Sequence, residues 1–201
     1  MFELVKIVFT LLITGIVGGA ITYYYQDRAQ RKQLEAKELE TARESTITFL
    51  REVGDILERR KFLAYKCLNA FKNQRPPADT EEMWKAYQDA VGAWNLKWNL
   101  YRALTLEELG PEVQKRFYDP IPDDKGDWSH CSITCKLIVF HERLSAAHDQ
   151  RLAGQPVQDA KKISELYDSL AEDCYNFYST VIERIQEGKV GKSAWPATTK
   201  R

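Results

Sequence analysis

Glycine and proline are scarce in this chain, 10 and 7 of 201 residues. Too few are available for the turns of a sandwich or barrel, so composition alone argues against either. Cysteine is also sparse: four residues cannot staple a disulfide-dense miniprotein. Neither sign of charge is in excess, with 29 Lys+Arg against 29 Asp+Glu. A dedicated nucleic-acid binder normally carries a basic surplus, so that class is excluded as the expectation. Catalytic signatures are missing too. There is no G-x-S-x-G, no dinucleotide fingerprint and no Glu-x-x-His pair of the kind a di-iron bundle uses. His141-Glu142 opens like a zincin helix, but Ser145 stands where the second histidine is needed. Gly191-Lys192-Ser193 resembles the end of a phosphate loop, but Gln186 replaces its first glycine and no strand precedes it. Strand-like alternation and internal repeats are likewise not found.

What is present begins with a long uncharged run. Residues 7–25 read IVFTLLITGIVGGAITYYY, nineteen positions without a charge. A helix of that length covers roughly 29 Å, about the hydrocarbon thickness of a bilayer, and Tyr23, Tyr24 and Tyr25 suit an interfacial belt. The rival reading is a cleaved signal peptide with Gly18 and Ala20 before the cut. The run's continuation into the tyrosines favours the anchor. Lys6 precedes the run, whereas Arg28, Arg31, Lys32, Lys37 and Arg43 follow it. The positive-inside bias therefore places the amino terminus outside a cell (inner) membrane and the bulk of the chain in the cytoplasm. Gly15 and Gly19 form a G-xxx-G pair, a spacing that lets two membrane helices approach closely.

Residues 26–38 are mostly polar and suit a solvated helical stalk. From Leu39 the apolar residues recur at three and four: Thr46, Phe49, Val53, Leu57, Ala64, Leu68 and Phe71 lie on one face, interrupted by Arg60. Pro76-Pro77 ends that helix. Asp79 with Glu82 suggests a capping box for a second helix, whose seam is Met83, Tyr87, Val91, Trp94, Trp98 and Tyr101. Ala93, Leu96, Leu100 and Ala103 form a second apolar side, so this helix either sits centrally or offers a face to a partner. Gly110-Pro111 breaks the chain before a short helix to Tyr118, and a loop spans 119–127. A third helix over about 129–153 and a fourth over about 157–187, ended by Gly188, complete an all-α chain. The expected architecture is a single transmembrane helix (1–25) continuing through the stalk (26–38) into an antiparallel four-helix bundle of coiled-coil-like packing (39–188). A flexible basic tail (189–201) follows, expected to be a frayed, inert terminus, with contact to anionic headgroups as the alternative.

Two constellations stand out as candidate sites. His130, Cys131 and Cys135, with His141 further along, offer metal-ligand types, and the cysteines are i,i+4 neighbours. Cys131 and Cys135 are expected to point away from the third helix's main stripe. The histidines at 130, 141 and 148 share a face but spread too far along the axis to hold one ion. The preferred reading is packed thiols and seam-edge histidines, with no metal or other cofactor. The other constellation is Trp94-Asn95-Leu96-Lys97-Trp98-Asn99, aromatic rings beside amides, typical of interaction surfaces and also of ring-filled cores. Arg60 is expected to pair with a carboxylate or to reach solvent.

These patterns point to a non-enzymatic, single-pass membrane protein acting as a scaffold, regulatory or accessory subunit through protein contacts. Its expected partners are the bilayer and another protein or a second copy, with no nucleic acid and no identified small-molecule substrate. The alternative is a membrane-tethered sensor or effector whose His/Cys cluster responds to metal or pH.

Overall fold

The computed structural model describes residues 2–118 and 131–195, without the side chains of residues 2–5, 7–14, Pro77 and Lys192. It is all-helical over those residues. Four helices follow one another, α1 (Phe2–Lys72), α2 (Pro77–Tyr118), α3 (Ile133–Leu152) and α4 (Ala160–Glu187), and a 3-10 turn closes the order at Gly191–Ala194. The chain divides into two compact units, Met1–Thr41 and Ala42–Arg201.

The described residues of the first unit form one helix and are mostly exposed. Thr22 Oγ1 donates to the Gly18 carbonyl at 2.8 Å, which satisfies the hydroxyl within the helix, and Arg31 pairs with Asp27 at 2.9 Å. The transmembrane helix expected over residues 7–25 is not supported here: among the described residues no helix is long and apolar enough to cross a membrane. The described part of that run, residues 15–25, includes three glycines, a threonine and three tyrosines. Eleven residues also rise only ~16 Å, about half a hydrocarbon core. The side chains of residues 7–14, which carry most of the run's aliphatic groups, lie outside the described residues.

The second unit is a helical bundle. Its direction of packing follows from which residues meet. Thr46 meets Glu108, Phe49 meets Tyr101 and Phe71 meets Trp84, so α1 and α2 run antiparallel. Glu81 meets His148 and Tyr87 meets His141, which makes α2 and α3 antiparallel. Lys136 meets Ser169 and Phe140 meets Tyr167, so α4 turns back once more. The seams read from the sequence form the core, including Val53, Leu57 and Leu68 of α1 and Leu166, Leu170, Cys174 and Val181 of α4.

Chain breaks also fall where the sequence places them. Gly110 adopts φ 80°, ψ 173° and separates the two segments of α2. Gly188 ends α4 in the left-handed region, where glycine has no Cβ to clash. Asp79 does not cap α2. The helix starts at Pro77, whose missing N–H is one of the terminal orphans anyway, and Asp79 sits inside the first turn near the positive end of the dipole.

Two features differ from the sequence expectation. The first half of α3 is buried on nearly all sides, from Ile133 to Leu137, and even Lys136 is enclosed, its ammonium held by Asp173 and by Ser169 at 2.8 Å. This is the central element of the bundle. The beginning of the basic tail, moreover, is seated on the bundle: Val190 is 1% exposed, and Gly110 faces the Ala194 carbonyl so closely that a Cβ there would lie 2.7 Å from its oxygen. Residues 196–201, which carry the rest of the expected tail, lie outside the described residues.

Candidate functional site

The Trp-Asn phrase splits between core and surface. Trp94 is 1% exposed and packs against Tyr101 and Phe117, with ring centroids 5.6 and 6.0 Å apart. It therefore joins the two segments of α2 across the Gly110 break. Trp98 is half-buried, edge-on to Tyr118 at 5.1 Å. Asn95 and Asn99 are exposed. Between and beside them stand Leu96, 89% exposed, and Leu100, 53% exposed, with Ala93 and Ala103 exposed on the same strip. The 3-4-3 spacing of these four residues is the second apolar side visible in the sequence. That side stays exposed among the described residues, because α1, α3 and α4 all gather on the Tyr87–Trp94–Tyr101 side. The G-xxx-G pair is similarly open: a Cβ at Gly15 or Gly19 would find no heavy atom within 4 Å.

The proposed metal-ligand types are not gathered. His130 lies outside the described residues. Cys131 and Cys135, expected to point away from the main stripe, are both buried in the core cluster with Cys67, because this end of α3 is enclosed on nearly all sides. Their sulfurs are 3.0 Å apart, and the Cys135 thiol donates to Cys131. His141 is occupied elsewhere, against α2. Among the described residues no group of three or more His, Cys, Asp or Glu could hold a metal ion.

What the fold does gather is a polar chain inside the apolar core. Arg60, 3% exposed, donates to the Leu137 carbonyl at 3.0 Å, and its charge stands near the Tyr87 hydroxyl. That hydroxyl lies 3.2 Å from His141 Nδ1. A Tyr87 hydroxyl donating there pairs with the neutral histidine that carries its proton on Nε2. Burial lowers the His141 pKa, and the Arg60 charge lowers it further. Burial pushes the Tyr87 hydroxyl up to about 12. Trp84 lies flat against His148, centroids 4.4 Å apart, and parallel to His141 at 6.4 Å. His148 Nε2 in turn approaches Glu81 at 3.1 Å. The carboxylate expected for Arg60 is missing among the described residues, and its Nε has no partner.

Sequence reading placed Arg60 within an apolar stripe and put His141 and His148 on one face. It missed Glu81 and Trp84, although Glu81, Trp84 and Tyr87 stand three apart and so share a face. Tyr87 was counted only as an apolar seam residue. No protein-family model, no curated protein and no solved structure matches this chain. The functional reading therefore rests on the residues themselves.

Proposed function

We propose that the chain is a membrane-tethered helical bundle that works by protein–protein contact, as a scaffold, regulatory or accessory subunit, with its bulk in the cytoplasm. The observation that carries this reading is the outer strip of α2. Leu96 and Leu100 are left to solvent at helical spacing with Ala93 and Ala103, flanked by the amides of Asn95 and Asn99. Single exposed apolar residues are ordinary, whereas a contiguous strip marks a contact surface. Covering what these two leucines expose is worth ~2–4 kcal/mol before the costs of association. The tether is supported by the nineteen uncharged residues at 7–25, and the orientation by the cations that follow them.

A photo-crosslinking amino acid at position 96, in native membranes, tests the contact. One dominant protein adduct is expected, abolished by Leu100→Glu, a change at an exposed position outside the buried core. Equal labelling from position 96 and from exposed Glu183 on α4 would overturn the reading. For the tether, alkaline carbonate should leave the full chain in the membrane pellet and release a chain lacking residues 1–25. Release of both removes the anchor. A cytoplasm-specific reporter fused to Arg201 should be active, and a silent but expressed fusion reverses the orientation.

A second reading, a pH-responsive effector, has one specific observation in its favour. Half-buried His141 lies against Tyr87 and feels the buried Arg60 cation, so protonating it adds a second positive charge beside the first.

A further inference from the structure

We propose that Cys131 and Cys135 are a redox site, a dithiol that peroxides oxidise to an intrachain disulfide, with Cys131 as the attacking sulfur. The spacing separates this from a metal site. Two thiolates on one tetrahedral zinc, with bonds of ~2.3 Å, stand ~3.8 Å apart. Here the sulfurs are at 3.0 Å, already closer than a shared zinc allows. A disulfide bond of ~2.05 Å needs them to close by only about 1 Å. Both cysteines belong to one helix-capping turn, in which the Cys135 N–H donates to Ser132 Oγ at 3.2 Å. Closure is therefore local and requires no movement of one helix against another.

Access distinguishes this pair from the remaining thiols. Cys131 lines an open cavity of about 360 Å³ with Val113, Ser132, Ile133 and Phe177, and is 8% exposed. Cys67 and Cys174 are fully buried, and neither has a sulfur partner among the described residues. Cys135 lies deeper, and burial together with its bond to Cys131 pushes its thiol up to about 12. It is thus the sulfur that keeps its proton while Cys131 reacts.

The chemistry balances with hydrogen peroxide as the oxidant. The Cys131 thiolate attacks one peroxide oxygen and the O–O bond breaks. Hydroxide leaves and takes up the proton Cys131 lost, and Cys131 becomes a sulfenic acid. The Cys135 sulfur then attacks Cys131, the S–O bond breaks, and the departing hydroxide takes the Cys135 proton as water. Two thiols and one peroxide yield one disulfide and two waters.

Trypsin makes the site easy to read, because residues 126–136 form one peptide holding Cys131 and Cys135, while Cys67 and Cys174 fall in two others. The full chain in detergent is exposed to hydrogen peroxide, quenched, unfolded, alkylated and digested. The 126–136 peptide is expected unalkylated and two hydrogens lighter, with Cys67 and Cys174 fully alkylated. Cys135→Ser should leave a Cys131 sulfenic acid that dimedone traps, and Cys131→Ser should leave Cys135 alkylatable. The proposal fails if Cys67 or Cys174 oxidises as readily, if Cys135 oxidises at the native rate without Cys131, or if the purified chain holds one zinc through both sulfurs.

Discussion

Replacing Arg60 with methionine is expected to stabilise the bundle by about 1–3 kcal/mol, the range found when buried ionic groups give way to packed apolar ones. Burying a cation costs several kcal/mol even after relaxation. In the native protein a hydrogen bond to the Leu137 carbonyl, worth ~1.5–3 kcal/mol, offsets that cost in part. No carboxylate assists it among the described residues, and Nε is buried without a partner. Burial accordingly lowers the Arg60 pKa, which is the same penalty on the charged form seen from another side. Methionine keeps the unbranched stem among its apolar neighbours, and Tyr87 still has His141 as its acceptor, so no donor is orphaned. In a domain of this size the gain corresponds to roughly 2–12 °C in melting temperature. Urea unfolding followed by tryptophan fluorescence suits the measurement, because all five tryptophans lie at or beyond residue 84 and report the second unit. Arg60→Ala serves as the contrast: it removes the stem as well as the charge, and the cavity should make it less stable than Arg60→Met by a further ~1–3 kcal/mol. A loss of more than ~1 kcal/mol in Arg60→Met itself would refute the reasoning, since the guanidinium bonds would then outweigh the desolvation.

His141 has a pKa lowered from 6.5 by burial and by Arg60, so the native state binds fewer protons than the unfolded chain. Its stabilising contribution is complete above about pH 6.5 and is lost as pH falls from there through the folded pKa, with a slope of up to ~1.4 kcal/mol per unit. His141→Gln should flatten the melting temperature between pH 7.5 and 5.5 relative to the native chain; an identical slope in both would exclude the histidine. Gly110→Ala should cost at least ~1–2 kcal/mol from the left-handed φ of 80° alone, and should also unseat the Ala194 carbonyl. Limited proteolysis near Val190 should accelerate in that variant, and an unchanged cleavage rate would argue against the seating.

Much of the fold was legible because it rests on local physics. A period of three and four from Thr46 to Phe71 and from Ile163 to Val181 commits each stretch to a helix with one apolar face, whatever surrounds it. Pro76-Pro77, Gly110-Pro111 and Gly188 stop or break helices through their own backbone geometry. How many neighbours each helix gains is not local. Cys131, Cys135 and Lys136 sit in a stretch whose periodicity shows one apolar face, yet the first half of α3 is enclosed on nearly all sides.

The same limit governed the candidate site. Trp94 and Leu96 are both large apolar residues two positions apart, and only the placement of α1, α3 and α4 decides that the first is core and the second surface. Arg60, Tyr87 and His141 come from three helices, so no spacing along the chain could join them. Sequence by itself determined the helices, their ends and their apolar stripes, because each depends on residues within a few turns. The tertiary structure alone decided which stripe stays uncovered, which polar groups meet in the core and which sulfur reaches the cavity. Those outcomes depend on distances between segments that the backbone brings together only when the bundle closes.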